Sequence, residues 1–97
     1  MSNELQNFAA SRLKGAKQIA TDSKAKGGNS LLTYDHYRVK LPYYEQASQG
    51  LLNIDEAKAI YRDCIFELYI NDNLSQQDFQ RLVGKIEVLG ELIIQSK

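Results

Sequence analysis

Ninety-seven residues, 43% apolar and 25% charged, fit one domain with one core and exclude two independent cores. Formal net charge is zero, which excludes a whole-molecule field that would draw the chain to nucleic acid or membrane. A single cysteine, Cys64, excludes an internal disulfide; no signal-length apolar run opens the chain and no stretch approaches the roughly 20 apolar residues of a membrane span, so a cytoplasmic setting with no membrane partner is expected.

The charge is unevenly spread. Met1 to Gly50 holds seven Lys/Arg against four Asp/Glu, a balance of +3, and Leu51 to Lys97 holds five against eight, a balance of −3. The basic excess lies between Arg12 and Lys40.

In chain order, residues 2 to about 24 read as a first helix. Leu5, Phe8, Ala9, Leu13, Ala16, Ile19 and Ala20 recur in steps of three and four. Three of those seven are alanine and Gly15 interrupts them, so the helix is expected to dock weakly or to project as an arm. DSKAKGGNS, residues 22 to 30, carries a Gly-Gly pair and no large apolar residue, which predicts a flexible joint. Ser30 is a candidate cap for a second helix, Leu31 to about Lys40. Pro42 suits the first turn of a short third helix ending at Gln49, with Gly50 as its left-handed stop.

Asn53 to Asn71 organises the rest. Ile54, Ala57, Tyr61, Cys64, Ile65 and Leu68 form one apolar face, and Ile60, Phe66, Tyr69 and Ile70 put apolar groups on the other sides. A helix apolar nearly all round is expected at the centre of a bundle. Asn71-Asp72-Asn73 predicts a turn, and Ser75 with Asp78 three residues later resembles a capping box. The last helix runs from Gln76 to about Gln95, with Phe79, Leu82, Ile86, Leu89 and Ile93 on a heptad stripe. Val88 and Ile94 fall outside that stripe and raise a homodimer through the C-terminal helix.

The fold expected is all-α: a small bundle of four to five helices with an antiparallel C-terminal helical hairpin. Residues 1–29 form the N-terminal helix or arm and its joint, and 30–97 the bundle core of a single domain overall.

Three stretches resemble known motifs and then depart from them. EQASQGLLNIDE (Glu45 to Glu56) and ELYINDNLSQQD (Glu67 to Asp78) resemble the second halves of EF-hand calcium loops. Calcium needs oxygen ligands at places one, three and five, where the first loop has Ala47 in the middle and the second Tyr69. LSQQDFQRLVG, Leu74 to Gly84, resembles the opening of a phage-repressor-type helix-turn-helix DNA reader. After Gly84 that family needs a turn and a basic recognition helix, whereas KIEVLGELIIQSK continues the apolar periodicity with Glu87 and Glu91.

Chemistry-bearing residues are sparse. His36 is the only histidine, with no second one for a metal pair. Cys64 sits on an apolar stripe, where a free cysteine is ordinarily a small buried group. No catalytic residue, metal or cofactor is expected, and the chain is read as non-enzymatic. Tyrosine is overused, at six against three Phe and no Trp. The cluster LTYDHYRVKLPYY gives the candidate partner-binding set Tyr34, Tyr37, Arg38, Lys40, Tyr43 and Tyr44, since tyrosine suits half-wet positions. A rim of core tyrosines bridging two short helices explains the same cluster. The expected function is a regulatory or binding module that acts on another protein. The alternative is a nucleic-acid accessory protein using the basic arm, with Arg12, Lys14, Lys17, Lys24 and Lys26 as contacts.

Overall fold

The computed structural model describes residues 2–97, with side chains from Glu4 onward. Among these residues there are five helices and no strand: α1 (Ser2–Lys26), α2 (Ser30–Arg38), α3 (Leu41–Ser48), α4 (Ile54–Ile70) and α5 (Gln76–Gln95).

Local chemistry fixes most of the boundaries. The Asn53 side chain accepts the Glu56 backbone N–H at 3.1 Å and starts α4. The Ser75 hydroxyl accepts the Asp78 backbone N–H at 3.0 Å and starts α5. Each satisfies one of the backbone donors that a helix start leaves unpaired. Pro42 sits in the first turn of α3, where its missing N–H costs nothing. Gly50, at φ +73°, ends α3: the Leu51 N–H bonds back to the Gln46 carbonyl at 2.8 Å and the Gly50 N–H to that of Ala47 at 3.1 Å, the two bonds of a Schellman stop. The joint is shorter than its composition suggested. Helix α1 persists to Lys26, and the break is confined to residues 27–29, with Gly27 and Gly28 at positive φ.

The expected centre of the bundle is corrected. Helix α5, not α4, lies in the middle: α2, α3 and α1 pack on one side of it and α4 on the other. Val88, Leu89 and Leu92 of α5 are the largest fully buried side chains. Val88, read from its heptad position as a candidate for a dimer contact, is in the core, because α5 is covered on two sides and its buried arc is wider than one stripe. Lys58 and Tyr61 share a hollow with Ile94 and Lys97, whereas Glu67 and Asn71 share one with Asp78 and Arg81. Helices α4 and α5 are therefore an antiparallel hairpin.

The first helix is also corrected. It does not project; it packs along α2 and α3 through Ala9, Ala16 and Ala20, all buried. The alanines that made its stripe look thin let α1 approach its neighbours closely. Gly15 has no such role, since a Cβ added there meets nothing within 4 Å. Gly15→Ala is expected to raise stability by about 0.5 to 1 kcal/mol, or roughly 4 °C in melting temperature, in a thermal melt followed by circular dichroism.

The whole is a slab of 40 × 33 × 15 Å. With helix axes 8–10 Å apart, a slab of that thickness is about two helices deep. Every helix therefore turns some face toward solvent, and few large side chains can be buried on all sides.

Candidate interaction surfaces

Polar groups line the seam between α5 and the α2–α3 corner. Lys40, between α2 and α3, places its Nζ 2.7 Å from Glu87 Oε1 and 4.8 Å from the centre of the Tyr37 ring. His36 Nε2 lies 3.0 Å from the same Glu87 oxygen, and Nδ1 lies 3.2 Å from Gln80 Oε1. Burial would raise the Glu87 carboxyl, but Lys40 and His36 outweigh it and hold the group below its ordinary range. One turn on, the Tyr44 hydroxyl donates to Glu91 Oε1, and Arg12 Nε lies 3.8 Å from Glu91 Oε2. Burial, then the bond to Glu91, pushes the Tyr44 hydroxyl well above its ordinary value. Asp35, also buried, lies 3.4 Å from Arg81 and 3.9 Å from Arg38.

This seam redistributes the tyrosine cluster. Lys40 and Tyr44 are buried and therefore unavailable to a partner. Tyr37 and Tyr43 are half-buried and pack against the core. Tyr34 is half-buried and Arg38 exposed, and they meet the basic arm. A groove of about 390 Å³ runs between α1 and the α2–α3 corner, lined by Lys17, Thr21, Lys24, Tyr34, Arg38 and Leu41 over a floor that includes Ala20 and Ala25. Lys24 Nζ lies 5.6 Å and Arg38 Cζ 5.9 Å from the Tyr34 ring centre. No carboxylate lines the groove, and Lys17 and Lys24 form no ion pair among the described residues. Of the other arm cations, Arg12 is engaged by Glu91 and the Phe8 ring, while Lys14 and Lys26 are exposed.

A second surface was not anticipated. The outer face of α4 carries Phe66, Tyr69 and Ile70 at 63%, 87% and 59% exposure, with Ile60 and Ile65 on its edges. Its inner face, Ala57, Tyr61, Cys64 and Leu68, covers α5 as the periodicity requires. The signal for the outer face was in the sequence, as apolar residues on all sides of one helix. That pattern predicts burial within the chain, and the slab instead leaves the face open.

The remaining groups are engaged. Cys64 is a free, buried thiol, and burial raises its pKa. Among the described residues no group of three or more His, Cys, Asp or Glu side chains could hold a metal ion, and no helix is long and apolar enough to cross a membrane. Helix α5 runs unbroken through Gly84, with no turn before a recognition helix. Comparison with known proteins finds no matching family model, no matching curated protein and no matching solved structure.

Proposed function

We propose that this chain is a small non-enzymatic binding module that works through protein contacts, and that its partner docks on the outer face of α4. The observation that carries this reading is the run of Phe66, Tyr69 and Ile70, each more than half exposed on one helix end. Together they present roughly 400 Å² of apolar surface, as large as the main patch of a typical monomer and of the kind that marks interaction sites. Among the described residues ten large apolar side chains are exposed, against five, Tyr44, Leu82, Val88, Leu89 and Leu92, that are buried. The non-enzymatic part rests on His36 being occupied by Glu87 and Gln80 and on Cys64 being buried. A reducing, cytoplasm-like setting rests on that same lone thiol.

A second copy of the chain is the first occupant to test. A two-fold axis through the patch sets it against itself, so that each copy covers the apolar surface of the other. Two patches with their rims approach the roughly 1,200 Å² at which stable interfaces begin. The dimer surface thus moves from α5, where Val88 is internal, to α4; Ile94 stays exposed near Tyr61, away from the new face.

Light scattering on the wild type is expected to give twice the 11.0 kDa chain mass at high micromolar concentration. Phe66→Glu with Ile70→Glu, both at exposed positions, should give the single-chain mass with unchanged helicity. Loss of two such apolar anchors should weaken association by more than about 100-fold. A monomeric wild type that captures the same host proteins as the double variant would sink the reading.

A further inference from the structure

We infer that the groove between α1 and the α2–α3 corner binds single-stranded nucleic acid, with phosphates on its cationic rim and a base on its apolar floor. The inference is independent of the α4 face and goes beyond the protein-contact reading.

The sequence separated the parts: two lysines on α1, and a tyrosine and an arginine on α2. Folding brings Lys17, Lys24 and Arg38 around one concavity of about 390 Å³ with no carboxylate in its wall. In a protein of zero net charge, Lys17 and Lys24 without an ion pair among the described residues, beside an Arg38 that shares Asp35 with Arg81, create a local field where the whole molecule has none. The Tyr34 ring has Lys24 and Arg38 each within 6 Å of its centre, so the two charged heads are steadied at the groove mouth. Lys14, Lys17, Thr21 and Lys24 follow one another in steps of three, four and three, so they share one stripe of α1. From Lys14 to Lys24 that stripe is about 15 Å long. At duplex-like rise this spans about four nucleotides of one strand.

The floor decides among anionic ligands. Ala25 and Leu41, over the buried Ala20, offer a shallow apolar surface bounded by the Tyr34 ring. A duplex turns its phosphates outward and keeps its bases stacked, so it would leave this floor empty. An acidic peptide brings carboxylates but no flat ring. A single strand brings both a charged backbone and free base faces; sequence-tolerant single-strand binders stack those faces on aromatic rings, and Tyr34 is the aromatic ring in the wall of this groove. Lysine, a point charge without a fork of fixed donors, suits phosphates read without sequence preference.

Fluorescence anisotropy with a labelled mixed-sequence single-stranded DNA and the full chain tests this. Binding at low salt is expected, with log K falling against log salt at a slope of about −2, for three phosphate contacts. Lys17→Glu with Lys24→Glu should weaken binding by more than about 10-fold and flatten the slope, while Lys97→Glu, distant from the groove, should change neither. Both groove lysines are exposed, so the fold is kept, as the unchanged far-ultraviolet spectrum would show; Arg38 is left intact because it neighbours buried Asp35. An abasic strand of equal charge should bind at least about 5-fold more weakly. The inference is overturned by no binding at low salt, by equal loss in Lys97→Glu, or by equal or tighter binding of polyglutamate, duplex, the abasic strand or anionic vesicles.

Discussion

Gly84→Ala is expected to destabilise the protein by about 2 to 4 kcal/mol and to lower its melting temperature by roughly 10 to 20 °C. Helix propensity alone gives the opposite sign, since alanine is favoured over glycine by about 1 kcal/mol inside a helix. Packing reverses it. Gly84 is buried where α5 crosses the end of α2. A Cβ there would sit deep inside the van der Waals radius of the His36 backbone carbonyl oxygen and 2.7 Å from Val39 Cγ2. Val39 could turn aside, but a carbonyl oxygen moves only if its helix moves. Separating α2 from α5 would also stretch the Lys40–Glu87 and His36–Glu87 contacts, which span the same seam. Gly15→Ala is the internal control in the same thermal melt, because it makes the same chemical change where nothing stands in the way. Equal or opposite-ordered shifts in the two variants would show that α2 and α5 do not meet at Gly84.

That pair of glycines also shows what the sequence could and could not reveal. Both lie inside helical periodicity, and nothing local distinguishes the one that is a packing requirement from the one that is only a weakness. The features that were legible are those whose cause lies within a few residues: the Asn53 and Ser75 caps, Pro42 in a first turn, and the Gly50 stop. For α1, α4 and α5 helix identity followed from periodicity, and so did the inner stripes of α4 and α5, whereas Tyr37, Val39 and Leu41 alternate as a strand would and α2 and α3 rest on their cap, proline and glycine signals. What was not legible depends on neighbours far along the chain. Lys40 is inside because Glu87, 47 residues on, meets it. Alanines at 9, 16 and 20 point to weak docking or a projecting arm, yet small size is what close packing against α2 and α3 uses. Phe66, Tyr69 and Ile70 announced that α4 wants cover, but a pattern of apolar residues does not say whether the cover comes from the same chain. The groove is the intermediate case: Lys17, Lys24, Tyr34 and Arg38 were each picked out as binders, in two separate sets, and only the docking of α1 unites them.

The Lys40–Glu87 pair is expected to respond asymmetrically to removal of one partner or the other. Lys40 has a side chain only 8% exposed, whereas that of Glu87 is 50% exposed. Glu87→Gln keeps the shape but removes the only carboxylate within ion-pair distance of the Lys40 ammonium among the described residues, leaving it beside the Tyr37 ring. Loss of one partner of a fully buried pair costs about 3 to 5 kcal/mol; water can still reach this one from the Glu87 side, so about 2 kcal/mol is expected. Lys40→Met removes the charge that needs compensation and fills the space with an adaptable apolar chain. It should therefore fall within about 1 kcal/mol of wild type, or above it. The pH dependence gives the second reading. The Glu87 carboxyl is held below its ordinary range in the fold by Lys40 and His36 against the pull of burial. Its contribution is then fully present above the unfolded carboxylate pKa and is lost as pH falls through the lower folded value. Urea denaturation midpoints of wild type and Glu87→Gln should differ at neutral pH and converge on acidification, while Lys40→Met should lose stability less steeply over the same acid window. If Lys40→Met instead costs as much as Glu87→Gln at neutral pH, the ammonium is held by more than Glu87, and the seam between α5 and the α2–α3 corner stabilises the fold through the lysine itself.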